Sequence, residues 1–236
     1  DISGDIDVDG TTNLDIVDVD GAVNFAADVT FADGADIITA SAGTSNFRAG
    51  VNAGNSIASG GNDNVLIGDE AGTAITTGDF NTAVGKKALE ADTLGRKSVA
   101  IGASALVAQN FTTATDTYNV AVGTFAGEAV TTGANNTLIG GLSGDALTTG
   151  AGNVAVGTSS LSASQTGNNG TAVGYGALAA TTTSDNTGIG YLAGQAVTTG
   201  IRNTLIGSLA GDALTDADFN TAVGQQALTA DTLGSH

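Results

Sequence analysis

Four of the six basic side chains in this 236-residue chain fall within one short stretch: Lys86, Lys87, Arg96 and Lys97. Grouped cations of this kind can grip an anionic glycan. The competing reading is ionic pairing along a stack. One period earlier stand Asp69, Glu70 and Asp79, which would lie over Lys86, Lys87 and Arg96. A second candidate is Phe111 with Tyr118, two aromatics flanking a local insertion in a chain that is only 4% aromatic. Such a pair could contact a sugar. A third is Asp5-Ile6-Asp7-Val8-Asp9-Gly10, which has the look of a calcium loop opening. Its twelfth position should be a bidentate Glu and is Ile16, so no metal site is assigned. Gly60-Gly61-Asn62-Asp63-Asn64-Val65 echoes a calcium β-roll repeat once, and that motif works only when stacked. The chain has no Cys, its one His is terminal, and no Ser sits in a nucleophile motif. Catalytic residues and cofactors are therefore expected to be absent, and the chain is not read as an enzyme.

The elements that would position these residues are set by a repeat. Asn, then Thr or Val, then a small or apolar residue, then Val or Ile, then Gly recurs ten times, closing at Gly68, Gly85, Gly102, Gly123, Gly140, Gly157, Gly174, Gly190, Gly207 and Gly224. Two coils replace the Asn, with Ser98 and Gly170. Seven of the nine steps are 17 residues, which is the mark of a stacked architecture. The residue before each Gly is Val or Ile, and two places earlier stands Val or Thr. Alternate positions share a strand face and β-branched residues suit a pleated surface, so a strand with this Val/Ile face inward is expected. Ala or Ser follows the Gly by three places and Ala by six, where a second short strand is expected. Gly at several sites and β-branched residues at the most regular ones exclude a helical solenoid.

Two coil types alternate in pairs. Leu89, Leu106, Leu161, Leu178 and Leu228 stand four places after the motif Gly in one type, and Gly72, Gly127, Gly144, Gly194 and Gly211 in the other. The Gly coils regain volume three places later with Ile75, Val130, Leu147, Val197 and Leu214, whereas the Leu coils carry a polar residue there. A close-packed interior demands such a swap. The opening Asn residues are expected to form a hydrogen-bonded ladder at one corner.

Composition fits a thin core. Gly supplies 36 residues, while Pro, Met and Trp are absent. The net charge of −18 disfavours nucleic acid and anionic membranes as partners, and no run is long and apolar enough for membrane insertion. Ten of the 24 carboxylates lie in residues 1–36, where Ile and Val alternate around two Val-Asp-Gly turns. Residues 1–60 are read as a β-rich stalk or neck of intertwined strands, and residues 61–236 as the solenoid domain. The absence of any Met, and the close copy of Asn81–Gly95 at Asn220–Gly234, lead us to expect an internal piece of a longer chain.

The phrase NTAVGxxALxxxTTGxxN, clearest at Asn81–Leu89, Asn136–Gly150, Asn203–Gly211 and Asn220–Leu228, resembles the repeats of trimeric bacteriophage tail fibres. It is also similar to the left-handed parallel β-roll heads of trimeric autotransporter adhesins, whose repeat is usually shorter. The Val-Asp-Gly strands look like the N-terminal stalks of marine phage fibre proteins. The resemblance covers residues ~60–236 and implies an all-β parallel solenoid of about ten coils, three parallel chains, and placement in a virion tail fibre. Implied partners are copies of the chain itself, other virion tail proteins, and a host surface glycan or protein. The alternative is the head of a bacterial surface adhesin on the cell surface. An ice-binding solenoid is a third class, disfavoured because Thr-Thr falls at a Gly turn.

Overall fold

A computed structural model describes residues 41–234. Among them the chain is an all-β parallel solenoid, and each repeat phrase forms one three-residue strand. The strands are β1 (Phe47–Ala49), β2 (Val65–Ile67), β3 (Thr82–Val84), β4 (Gly95–Arg96), β5 (Val99–Ile101), β6 (Thr115–Asp116) and β7 (Val120–Val122), followed by β8 (Thr137–Ile139), β9 (Val154–Val156), β10 (Thr171–Val173), β11 (Thr187–Ile189), β12 (Thr204–Ile206) and β13 (Thr221–Val223). Eleven of them make one parallel sheet in chain order, with β4 and β6 forming a separate two-stranded ribbon. The register is one coil per step: Thr82 pairs with Val99, and Val99 with Val120.

The sheet begins earlier than the repeat phrase does. β1 pairs in register with β2, and Asn46 enters the Asn ladder, so residues 46–60 complete a coil rather than a stalk. Ala49 and Phe47 stand where every later coil has Val/Ile and Val/Thr, which hides this coil from the pattern. The rest of the expected stalk, residues 1–40, lies outside the described residues.

The strands turn the opposite face inward from the one expected. Beyond β1, the middle residue of each three-residue strand is the buried one: Leu66, Ala83, Ala100, Ala121, Leu138, Ala155, Ala172 and Leu205 are each 0% exposed. The β-branched neighbours on either side point out, with Val65, Ile101 and Ile139 between 37% and 38% exposed. A three-residue strand offers a narrow coil only one inward place, and that place takes whatever volume the coil needs. The flanking positions keep β-branched residues because they form the pleated outer surface.

No second strand forms six places after the motif Gly. The chain turns there instead, because residues two and four places after the Gly are left-handed, as at Lys87 (φ 59°) and Leu89 (φ 55°). A third left-handed corner precedes the Asn, at Phe80 (φ 59°), Lys97 (φ 63°) and Tyr118 (φ 49°). The motif Gly itself is required by two constraints. Gly85 has φ 134°, and a Cβ there would lie 2.6 Å from the carbonyl carbon of Gly102 in the next coil.

The Leu-for-Gly exchange holds in space. Leu89, Leu106 and Leu178 are fully buried in their coils, and Ile75, Val130, Leu147, Val197 and Leu214 are fully buried in the others. A Cβ on Gly72 would come within 2.8 Å of both Ile75 and Leu66.

Candidate interaction surfaces

The Asn ladder is a directed relay between side chain and backbone. Asn64 Oδ1 accepts the backbone N–H of Asn81 at 2.9 Å, and Asn81 Oδ1 accepts that of Ser98 at 3.0 Å. Each side-chain amide also donates across the coil, Asn81 Nδ2 to Gly95 O at 3.0 Å and Asn119 Nδ2 to Gly133 O at 2.7 Å. These residues are buried and their groups are satisfied, so the ladder holds the coil and offers nothing to a ligand. Threonines do the same at another corner, where Thr131 Oγ1 donates to Thr148 O and Thr148 Oγ1 to Gln165 O.

The four clustered cations all hold carboxylates. Lys86 Nζ lies 3.3 Å from Asp69, and Lys87 Nζ lies 3.2 Å from Glu70 and 3.0 Å from Glu90. Arg96 reaches Asp116 at 3.2 Å and Asp79 at 4.0 Å. Lys97 Nζ sits 2.6 Å from Asp116, 3.1 Å from the Tyr118 hydroxyl, and over the Tyr118 ring. The hydrogen bond to Glu90 and then that to Glu70 raise the Lys87 pKa. The bond to Asp116 raises that of Lys97, and the same bond lowers Asp116. The ion pairs expected between stacked coils are therefore present, with Glu90 and Asp116 added to them.

The insertion places its two aromatics differently. Tyr118 is 52% exposed beside Lys97, whereas Phe111 is buried at 7% exposed. Phe111 presents no ring to a surface ligand. Beneath it lies a buried polar network that the sequence reading did not assemble. Gln109 Nε2 donates to Asp92 Oδ2 at 2.6 Å and to Ser98 Oγ at 2.8 Å, and Gln109 Oε1 accepts from Asn119 Nδ2 at 2.9 Å. Asp92 Oδ1 accepts the backbone N–H groups of Gly95 and Phe111 at 3.0 and 3.1 Å. Ser98 Oγ lies 2.6 Å from Thr117 Oγ1. Burial raises the Asp92 pKa, partly countered by the bonds from Gln109, Phe111 and Gly95. The network fills the place where Ser98 interrupts the Asn ladder and the insertion enters. Its signal was the polar residue seven places after the Gly in each Leu coil, which here is Asp92 and Gln109.

The most extended surface feature is the outer face of the sheet. Along its eleven strands the outward places hold Phe, Ala, Val, Ile or Thr and no charged residue. Arg48, the one charged residue in the sheet's strands, stands in the middle place of β1 and its Nε donates to Ala53 O. A different corner carries an aromatic pair, Tyr175 and Tyr191, stacked with centroids 5.8 Å apart. Among the described residues no cluster of three or more metal-ligating side chains occurs, and no helix is long and apolar enough to cross a membrane. Comparison with protein-family models, curated proteins and solved structures finds no match.

Proposed function

We propose that the chain is a structural fibre protein of a bacteriophage virion, a stiff homotrimeric rod that supports host attachment. The observation that carries this reading is the uncharged outer face of the parallel sheet. Parallel sheets are ordinarily covered on both faces. The coil interior covers one face here, and β-branched residues line the other along ten of the eleven strands, with Phe47 and Ala49 on β1. On a chain of net charge −18, this is a face where like-charged copies can meet without repulsion. Its ridges repeat once per coil, every ~4.8 Å, so the surface that matches it along its length is another chain of the same pitch. Copies of this chain have that pitch. The tail-fibre resemblance of the repeat supplies the number three and the viral setting.

The mechanism is mechanical. Continuous hydrogen bonding from coil to coil gives stiffness, and three chains present each surface feature in triplicate for multivalent contact. Sedimentation of the native chain tests the reading. A trimer that Ile139→Lys with Val156→Lys converts to a folded monomer is the expected result. A wild-type chain that stays monomeric at tens of micromolar refutes it.

A further inference from the structure

One inter-coil boundary differs from the rest in several ways at once. Between the coils closing at Gly174 and Gly190 the repeat is 16 residues, one short. The Asn ladder loses a rung there: Gly170 accepts from nothing by side chain, although its own N–H is held by Asn153 Oδ1 at 2.8 Å. The inward place of β11 is Gly188, which adds no side chain to the core. The buried apolar residues accordingly fall into two clusters, one running from Ala53 to Leu178 and the other from Val197 to Ala222. The backbone ladder continues across this seam, with Thr171 N–H donating to Asn186 O and Leu192 N–H to Tyr175 O.

Tyr175 and Tyr191 stand astride the same seam. Each directly follows the motif Gly of its coil, so they occupy the same corner one coil apart. Their rings are inclined by only 16° at 5.8 Å, and the residues are 56% and 53% exposed. The chain contains no Cys, Met or Trp, and its third tyrosine is Tyr118. Side chains that usually intercept oxidants first are thus missing. Tyr118 is isolated from the pair, its hydroxyl 3.1 Å from Lys97 Nζ and 3.4 Å from Asp116.

We propose that Tyr175 and Tyr191 are a site of oxidative coupling, forming a dityrosine clasp across the seam. The oxidant is hydrogen peroxide turned over by a peroxidase. Each phenol gives up one electron and its hydroxyl proton to become a phenoxyl radical. The two radicals join through the ring carbons next to the oxygens, forming one carbon–carbon bond. The hydrogens on those carbons then move to restore the two hydroxyls. The net loss is two electrons and two protons, which reduce one peroxide to two waters. The product ties neighbouring coils where the side-chain ladder is interrupted and the repeat is one residue short.

The test treats the full chain with peroxidase and hydrogen peroxide and reads the denatured mass, the linked peptides and dityrosine fluorescence. The expected product is a single chain two hydrogens lighter, with Tyr175 and Tyr191 in one linked peptide, at a rate independent of chain concentration. Tyr175→Phe and Tyr191→Phe, with folding checked by circular dichroism, each abolish it, and Tyr118→Phe leaves it unchanged. In the coupled chain the Thr171, Leu178 and Leu192 amides exchange several-fold more slowly. Links predominantly between chains, coupling through Tyr118, or tyrosine oxidation without the linked peptide would each overturn the proposal.

Discussion

Asn136 and Asn153 are bound in one direction only. Asn136 Oδ1 accepts the backbone N–H of Asn153 at 3.0 Å and its side-chain N–H at 3.1 Å, while Asn136 Nδ2 turns away to Gly150 O at 2.9 Å. One amide thus serves its own coil and the next. Asn136→Ala strands a buried N–H and a buried carbonyl, each costing ~1–3 kcal/mol. Solenoid stability is a sum of coil and neighbour terms, so the damage is local. Native-state hydrogen exchange should show the Asn153 amide opening much faster and the Asn81 amide unchanged. Equal acceleration at both would show that the ladder acts as one cooperative unit.

The two coil types are interchangeable packings of one backbone. Gly211 has φ 59°, close to Leu89 at 55°, so a leucine there meets no new backbone strain. Space is the obstacle: a Cβ would lie 2.7 Å from Leu205 Cδ2 and 3.0 Å from Leu214 Cδ1. Gly211→Leu alone should overpack the coil and cost ~1–3 kcal/mol or more. Adding Leu205→Ala and Leu214→Ser copies the Ala155, Leu161, Ser164 arrangement and should recover most of the loss in thermal melts. A triple variant no more stable than the single one refutes the volume exchange.

The insertion gives a third contrast. Phe111 is buried, so Phe111→Ala should cost ~3–5 kcal/mol. Tyr118→Ala removes a half-exposed ring and should stay within ~0.5 kcal/mol. Denaturant titration of the two variants separates them, and similar midpoints would mean that Phe111 does not support the coil.

Much of this architecture was legible from period alone. Parallel stacking, the Leu-for-Gly exchange, the Asn corner and the pairing of Lys86 with Asp69 all follow from aligning like positions, while the β1 coil does not, because Phe47 and Ala49 depart from the pattern. The facing of the strands does not, because regularity alone does not mark burial. In this fold the regular Val, Ile and Thr face outward, and the variable place holding Leu66, Ala83 or Gly188 is the inner one. That variation was itself a clue. Leu66, Leu138 and Leu205 occur in three of the Gly coils and Ala83, Ala100 and Ala155 in Leu coils, as expected of residues sharing one volume, although Ala121 and Gly188 hold the inner place of the other two Gly coils. The Asp92 network was hidden for another reason. Its members come from three coils and from a stretch where the period breaks, so no single spacing joins them.

Asp92 turns that network into a pH-dependent element. Its partners are the Gln109 amide and the backbone N–H groups of Phe111, Gly95 and Thr93, all neutral, so burial dominates and its pKa is raised above 3.8. The folded state then holds the proton more tightly than the unfolded chain. Below 3.8 both states are protonated and there is no penalty. As pH climbs from there to the raised value, the unfolded chain releases this proton while the folded state still holds it, and stability falls. Asp92→Asn keeps a neutral group at every pH and removes this slope. Whatever the variant loses by refitting its amide against Gln109, it should gain on the wild type as pH rises through the window and hold a constant offset above it. Urea unfolding of both chains in steps from pH 3 to pH 7 is the measurement. A stability difference that does not vary with pH, or one that moves against the variant, means Asp92 is not the raised carboxylate described here.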